Sequence, residues 1–491
     1  MSWCGDGCAG AQPGLRREAG LLPVDSRQAA RSGRSIDSAM QLQFLGATDT
    51  VTGSKYLLRE GAGKVLVDCG LFQGYKQLRL RNWAPLPVPA VDVDAVVLTH
   101  AHIDHSGYVP LLARQGFRGN VYCTPATRDL CRILLTDSGH LLEEEADYLN
   151  RHQLSKHKPA LPLYTREDAV RCLELFKPIA SETDFHPAAG LTARFSPSGH
   201  LPGSSFVRIE GGGRSILFSG DIGRPNDPVL KPPTRMQGAD YLVVESTYGD
   251  RLHGKDDVLA QLADVINRTC ARGGVVVIPA FAVGRTQALL HSIRQLKDRG
   301  AIHALPVYLN SPMAANATRV YRQHLNELRL SARDCEAMAE AVEVVTTPDE
   351  SRSLNARRGP MVIIAASGMA TGGRVVHHLK AFAPDKRNTI LLTGFQAGGT
   401  RGASLAQGAP TVRIHGEDIP VRAEVAMIDG LSAHADAGEI MEWLGAFDRA
   451  PRQTFITHGD PPAADALRLR IERELHWECR MPYYLEEVTL D

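Results

Sequence analysis

Four side chains of the kinds that bind metal ions fall within six consecutive residues of this chain. They are His100, His102, Asp104 and His105, and they follow the apolar run Ala95-Val96-Val97-Leu98. The run predicts a buried strand, so the four side chains begin where a strand opens into a loop. His100 and His102 project to the same side of an extended segment, with Asp104 and His105 on the next turn. This spacing favours a site for two adjacent cations over a polar loop with incidental histidines.

Three further ligand-type residues occur singly, at strand ends or in loops. Asp68 ends the apolar run Val65-Leu66-Val67, where a carboxylate is costly unless it is paired or hydrogen-bonded. It would either orient a metal-bound histidine or belong to a turn. His200 lies in a loop that contains glycine and proline, and Asp221 ends a strand-like run between two glycines. Each of these last two, taken alone, could equally be a metal ligand or a turn residue.

A long middle stretch of the chain has a different rhythm. Helical segments alternate there with four apolar runs, Val275-Val276-Val277-Ile278, Pro306-Val307-Tyr308-Leu309, Met361-Val362-Ile363-Ile364 and Ile390-Leu391-Leu392. The alternation predicts βαβ units and a parallel sheet. Two later histidines, His434 and His458, each follow an apolar stretch beyond it. Because ligand-type residues lie on both sides of the middle stretch, we expect it to be a second domain inserted into the first.

Small residues follow several strands of this second domain, notably in residues 367–373 and 394–400. Glycine and serine at such positions let backbone N–H groups approach an anion, and the carboxyl ends of strands in open α/β sheets form the ligand crevice. We therefore regard Ser367, Gly368, Gly398 and Thr400 as candidates for substrate binding. Tight turns without any ligand are the alternative interpretation.

Composition sets the outer limits. A chain of 491 residues is long enough for two large domains, and 55 basic and 55 acidic residues cancel, so no global field attracts a polyanion. The nine cysteines show no pairing pattern, which is typical of a cytoplasmic protein with reduced thiols. Residues 1–39 lack hydrophobic periodicity and a signal-peptide core, and we expect them to be disordered. No apolar run reaches membrane-spanning length.

The motif H-x-H-x-D-H at residues 100–105 resembles the signature of the metallo-β-lactamase superfamily, whose members hold one or two zinc ions at the edge of an αββα sandwich. The split layout resembles its β-CASP group of nucleases, which includes mRNA 3′-end cleavage and RNase J-type enzymes. The resemblance covers essentially residues 40–491. Glu245, His434 and His458 stand where the group has its motifs A, B and C. A histidine at motif C goes with members that act on RNA.

The resemblance implies a role for each candidate. Two zinc ions would be bound, one by His100, His102 and His200, the other by Asp104, His105 and His458, with Asp221 bridging them. His434, supported by Glu245, would protonate the leaving oxygen, and Asp68 would orient a ligand histidine. Arg285 and Arg401 would hold neighbouring phosphates. Cleavage of single-stranded RNA would leave a 5′ phosphate and a 3′ hydroxyl.

The expected architecture is an α/β metallo-β-lactamase sandwich with an inserted parallel-sheet α/β domain. We place the first part of the sandwich at residues 40–247, the inserted β-CASP domain at 248–405 and the rest of the sandwich at 406–491. A thioesterase-like metallohydrolase and a non-catalytic RNA-binding scaffold subunit are the rival functions. Endonucleolytic and 5′-exonucleolytic action stay open, and so does a homodimeric state.

Overall fold

The structure is a computed structural model, and it describes residues 40–254 and 256–491. The expectation of disorder for residues 1–39 lies outside the described residues. The strands are β1 Met40–Phe44, β2 Lys55–Glu60, β3 Gly63–Cys69, β4 Ala95–Val97, β5 Asn120–Cys123, β6 Phe176–Pro178, β7 Asp184–Phe185, β8 Thr192–Pro197, β9 Ser205–Gly211, β10 Arg214–Phe218, β11 Tyr241–Glu245, β12 Val275–Pro279, β13 Val307–Asn310, β14 Glu343–Val344, β15 Met361–Ala365, β16 Thr389–Leu392, β17 Thr411–Ile414, β18 Glu417–Pro420, β19 Glu424–Met427, β20 Gln453–Thr457, β21 Cys479–Arg480 and β22 Glu487–Leu490.

The α-helices lie between these strands and cover the faces of the sheets. They are α1 Lys76–Arg81, α2 Ile103–Ser106, α3 Val109–Arg114, α4 Pro125–Arg151, α5 Arg166–Cys172, α6 Val258–Ala271, α7 Arg285–Asp298, α8 Pro312–Gln323, α9 Ala332–Glu340, α10 Pro348–Ala356, α11 Arg374–Phe382, α12 Arg401–Ala406, α13 Ala437–Gly445 and α14 Pro461–Glu474. Among the described residues, no helix is long and apolar enough to cross a membrane.

Two seven-stranded sheets pack face to face and form the first domain. Their orders are β22-β1-β2-β3-β4-β5-β6 and β21-β20-β11-β10-β9-β8-β7. Aromatic pairs cross between the sheets, with ring centroids 5.1 Å apart for Phe44 and Phe455 and 5.6 Å apart for Tyr56 and Phe218. Helices α3, α4 and α5 cover one outer face, and α13 and α14 cover the other. The αββα sandwich expected from the sequence is confirmed.

The middle stretch forms a separate six-stranded sheet in the order β14-β13-β15-β12-β16-β19, in which every pair of neighbours is parallel. Residues of α6 and α7 pack in the core on one face, and residues of α10 and α11 pack in the core on the other. Burial on both faces explains why the central strands consist of continuous apolar runs. The predicted βαβ units and parallel sheet are confirmed.

The inserted sheet continues beyond residue 405, where we expected the inserted domain to end. A hairpin of β17 and β18 leads into β19, which pairs in parallel with β16 from Glu424 to Met427. This edge strand has only four residues, none of them fully buried, and its short apolar stretch alone does not assign it to the parallel sheet. On this pairing we propose that the inserted domain ends near residue 427.

The strands before and after the insertion are neighbours. β11 and β20 pair in parallel, so that Glu245 lies opposite Thr457. The chain therefore leaves the sandwich at the end of β11, and the strand beside β11 is β20, which lies after the insertion. This pairing brings the side chains that follow β11 and β20 to the same edge of the second sheet.

Candidate metal centre

The ligand-type side chains found in the sequence converge at one edge of the sandwich. Most of them come directly after the carboxyl ends of β4, β10 and β20, and His200 lies in the loop between β8 and β9. Open α/β sheets bind ligands at the edge formed by the carboxyl ends of their strands. They form two groups of potential ligand atoms: His100, His102, His200 and Asp221 in the first, and Asp104, His105 and His458 in the second.

The first group is compact. His102 Nδ1 lies 3.2 Å from Nε2 of both His100 and His200, and Asp221 Oδ2 lies 3.3 and 3.4 Å from these same two nitrogens. Ligands 2.0–2.1 Å from a tetrahedral zinc ion are separated by about 3.3–3.4 Å, as the geometry of a tetrahedron requires. These four separations match those of a tetrahedral ligand set, and all four atoms lie within 4.8 Å of one another.

The second group lies on the other side of Asp221. His105 Nε2 is 3.0 Å from His458 Nε2 and 3.2 Å from Asp221 Oδ1, and Asp104 Oδ2 is 3.6 Å from His458 Nε2. Asp221 thus offers one oxygen to each group. Its Oδ1 atom is fully buried and accepts no hydrogen bond from the described residues. A buried, unsatisfied carboxylate oxygen among histidine nitrogens fits a bound cation.

Hydrogen bonds on the remote ring nitrogens prepare the histidines for this role. The Nδ1 atom of His100 lies 3.1 Å from Thr99 Oγ1, and that of His200 lies 3.3 Å from the carbonyl of Ala433. The Nδ1 atom of His105 lies 2.7 Å from Asp68 Oδ2. The Ala433 carbonyl and the Asp68 carboxylate can only accept, and the Thr99 hydroxyl donates to Asp68, so each contact uses a ring proton on Nδ1 and leaves Nε2 facing the group, as in metal-ligand histidines. Asp68 therefore has the position expected of a carboxylate that orients a ligand.

Charge states follow from burial and neighbouring groups. Burial lowers the pKa of His100 to about 3 and also lowers the pKa values of His102 and His200, so these imidazoles are neutral, the form that binds metal. Burial likewise disfavours charge on His105, but Asp221 and Asp68 outweigh it and raise its pKa well above the ordinary value. In the absence of a cation, His105 therefore holds a proton. A bound cation would replace that proton.

His434 lies beside the first group. Its Nδ1 is 3.1 Å from Glu245 Oε2 and its Nε2 is 3.8 Å from Asp221 Oδ2. Burial opposes protonation, but Glu245 and Asp221 outweigh it and raise the pKa of His434 to about 9. Glu245 is buried and also accepts a hydrogen bond from the backbone N–H of Ile222. The side chain of His434 keeps 18% of its surface exposed, so it can reach a molecule in the cleft.

Two residues with clear positioning contacts were missed in the sequence. Thr247 Oγ1 donates to Glu245 Oε2 at 2.6 Å and lies 3.1 Å from His458 Nδ1, so it connects the residues that follow β11 and β20. His253 Nε2 lies 2.9 Å from the carbonyl of His434 and fixes that loop. Thr247 could have been noticed in the sequence because it lies two residues after Glu245. His253 could not, because its partner is 181 residues away in the chain.

The candidates for substrate binding divide into two kinds. Thr400 caps α12, and Arg401 donates to the carbonyls of Arg413, Ala370 and Thr371, so both hold the inserted domain together. Ser367 Oγ accepts the backbone N–H of Thr371 within its own loop. The second kind, Gly368, Gly398 and Arg285, lies close to residues of the metal centre or of the first domain.

Backbone packing explains two of the glycines. A Cβ on Gly368 would lie 2.6 Å from the ring of Phe281, which is itself 6.3 Å from the ring of His102. A Cβ on Gly398 would lie 2.4 Å from the hydroxyl of Tyr75 in the first domain. The loop that contains Gly398 therefore approaches the first domain closely, and the loop that contains Gly368 packs on Phe281, whose ring lies beside His102. Arg285 lines a cavity together with His200.

Comparisons with known proteins cover most of the chain. Residues 49–261 match the metallo-β-lactamase superfamily, residues 286–405 the β-Casp domain, and residues 418–482 the Zn-dependent metallo-hydrolase RNA specificity domain. Ribonuclease TTHA0252 of Thermus thermophilus is 37% identical over 86% of this chain and 93% of its own. The transcription termination factor FttA of Methanosarcina mazei is 31% identical over 97% of this chain and 76% of its own. An RNase J-like protein of Methanocaldococcus jannaschii is 29% identical over 85% and 92%.

Proposed function

The chain belongs to the metallo-β-lactamase superfamily, as an RNA-processing nuclease of the β-CASP group, and we propose that it hydrolyses single-stranded RNA with two zinc ions. The position of Asp221 supports this most strongly. It presents one carboxylate oxygen to each of two histidine groups, and one of these oxygens is buried and accepts no hydrogen bond from any residue that the structure describes.

The residues that would hold the two ions are His100, His102 and His200 on one side of Asp221, and Asp104, His105 and His458 on the other. Two zinc ions held by these residues would supply a nucleophile for hydrolysis near neutral pH and would offset charge on the phosphoryl oxygens. The protein contributes a fixed arrangement: Asp68, Thr99 and Thr247 orient the ligand histidines, and burial keeps three of them neutral.

His434 would supply the proton that the leaving 3′ oxygen needs. Glu245 holds its Nδ1, and its Nε2 lies 3.8 Å from Asp221 Oδ2, beside the first group. The carbonyl contact from His253 fixes the backbone at the same residue. A positioned general acid contributes typically 10²–10⁴-fold to the rate.

Product analysis tests the proposal. The purified protein is incubated with single-stranded RNA labelled at either end, and its metal content is measured on the same preparation. We expect two zinc ions per chain, a 5′ phosphate and a 3′ hydroxyl at the cut, and no comparable turnover of a thioester or a β-lactam. RNA left intact by a zinc-loaded protein, or cleavage by a protein free of metal, would contradict it.

A further inference from the structure

Helix α1 lies on the outside of the molecule and buries none of its residues. Three large side chains in or beside it are more than half exposed: Tyr75 is 55% exposed, Leu80 56% and Trp83 58%. Single exposed apolar side chains are common on proteins, but several that lie together mark a surface that binds a partner. We call residues 75–83 the α1 surface.

The α1 surface is basic, although the charges of the whole chain cancel. It contains Lys76, Arg79 and Arg81, and residues 69–91 contain no acidic residue. Arg81 is paired with Asp49 at 3.0 Å. Lys76 and Arg79 are exposed and form no ion pair with a carboxylate of the described residues. Two cations beside exposed aromatic rings are therefore available to a partner, and this combination suits a single-stranded nucleic acid.

The segment that leads into α1 is held against the candidate metal ligands. The N–H of Leu71 donates at 2.9 Å to the carbonyl of Ile103, which stands between two candidate ligands in the sequence. A Cβ on Gly70 would overlap the carbonyl of Asp104, so only glycine allows this close approach. Lys76 comes five residues after Leu71, and a chain of this length keeps the start of α1 within about 20 Å of the ligand segment. The α1 surface therefore lies within reach of a strand bound at the metal centre.

Both ends of the α1 surface are fixed. A Cβ on Gly398 would lie 2.4 Å from the hydroxyl of Tyr75, and one on Gly399 would lie 2.7 Å from its ring, so Tyr75 lies on the backbone of the inserted domain. At the other end, the side chain of Asn82 accepts the N–H of Phe72 and donates to its carbonyl, both at 2.9 Å. The surface is therefore presented in one position, beside the place where the two domains meet.

We propose that the α1 surface binds the RNA strand several nucleotides away from the bond that is cut, with Lys76 and Arg79 on phosphates and the ring of Trp83 stacked on a base. The inference rests on the proposed ribonuclease function. Aromatic rings stack on every base and cations follow every backbone, so such a surface holds RNA without reading its sequence. Two copies of the chain that met through this surface would instead place like charges opposite each other, which opposes association.

The test uses a charge variant, Lys76→Gln with Arg79→Gln, and a ring variant, Trp83→Leu. The matched control is Arg151→Gln with Lys156→Gln, which removes the same two kinds of charge from exposed positions at the far end of α4, about 40 Å along that helix from its start. Single-turnover cleavage of a labelled RNA of about 12 nucleotides, within the usual span of a single-strand groove, gives the half-saturating protein concentration at several salt concentrations. Hydrolysis of bis(p-nitrophenyl) phosphate, which has no neighbouring nucleotides, zinc content and sedimentation are measured on the same preparations.

In the charge variant, the slope of log affinity against log salt should fall by about 1.4, the value for two phosphates of a single strand. The half-saturating concentration should then rise about 25-fold near 0.1 M salt, and the difference should close towards about 1 M. The ring variant should bind RNA about 5- to 150-fold more weakly with an unchanged slope, because it loses a stacked base and no charge, and Trp83→Phe should keep most of the affinity. Zinc content and hydrolysis of the small diester should stay within about twofold in every variant. The control should match the unmutated protein.

Unchanged RNA affinity in the charge and ring variants would overturn the inference. An equal loss in the control would overturn it as well, since the effect would then come from net charge alone, and so would a parallel loss of zinc and of diester hydrolysis. If Trp83→Leu turns a dimer into a monomer at unchanged RNA affinity, the surface joins two copies of the chain and the inference is wrong. Failure of the unmutated protein to cut RNA would instead refute the proposed function, and fluorescence anisotropy of uncut RNA would then decide on the α1 surface with the same variants.

Discussion

Asp221 lies between two groups of histidines and gives one oxygen to each. Asp221→Ala should therefore lose zinc from both groups and lose RNA cleavage, because a bridging carboxylate serves both ions. Elemental analysis and single-turnover cleavage measure the two effects. Asp240→Ala is the control. It removes a carboxylate of the same domain that accepts hydrogen bonds from Ser215 and is not among the candidate metal ligands. An Asp221→Ala protein that retains two zinc ions would contradict the bridging role.

His434 and His458 both follow apolar stretches, but the structure gives them different surroundings. His434→Ala should keep most of its zinc and its RNA affinity while cleavage drops by about 10²–10⁴-fold, the usual contribution of a general acid. His458→Ala should lose zinc as well as rate, because its Nε2 lies within the second group. Zinc content, RNA affinity and cleavage rate are measured on both variants. Cleavage by His434→Ala at the unmutated rate would refute the acid role.

Most of the candidate centre could be predicted because its ligands are close together in the sequence or stand at strand ends. Residues 100–105 contain four of them, and a run of this kind is informative without any structure. The contacts of Thr247 with His458 and of His253 with His434 could not be predicted in this way. They depend on the pairing of β11 with β20 and on the return of the chain from the inserted domain.

At the scale of single elements, a substitution at the start of α12 tests whether its small-residue loop binds substrate or only caps the helix. Thr400 accepts the N–H of Ala403 at 3.1 Å and donates to Ala397, so it caps the helix and closes the loop before it. Thr400→Ala should lower the free energy of unfolding by about 1 kcal/mol, the usual cost of losing such a cap, and leave RNA affinity unchanged. Denaturant unfolding and RNA titration measure this.

Ser331→Ala removes the corresponding cap from α9 and should destabilise to a similar degree. A loss of RNA affinity in Thr400→Ala alone would show instead that this threonine binds substrate, as the sequence suggested.

The regular elements of the inserted domain could be predicted where burial on both faces imposes long apolar runs, as in β12 and β15. The pairing of β19 with β16, on which we propose a later end for the domain, could not. The edge strand β19 mixes Glu424 and Met427 with two small apolar residues, and the hairpin before it turns at His415 and Gly416, both with positive φ. Nothing local in this segment distinguishes an edge strand from a connecting loop.

At the scale of the whole molecule, bound metal would connect segments that are far apart in the chain. His105 lies before the inserted domain and His458 after it, and they belong to the same group. Chelation of zinc should therefore abolish RNA cleavage and also lower the melting temperature, because a ligand bound only to the folded state stabilises it. Adding zinc back should restore both.

The chelator effect has an internal control. Asp221→Ala should already melt at the lower temperature and show no further shift with chelator. A melting temperature of the unmutated protein that is independent of chelator, at full loss of activity, would show that the metal does not hold the two segments together.

The pairing of β11 with β20 also has a consequence for synthesis on the ribosome. Roughly 200 residues separate the two strands, and at 5–20 residues per second their translation takes on the order of 10–40 s. During that interval β11 lacks its neighbour β20, and the nascent polypeptide lacks His458. Translation order thus delays assembly of the proposed metal centre until the nascent polypeptide extends beyond His458.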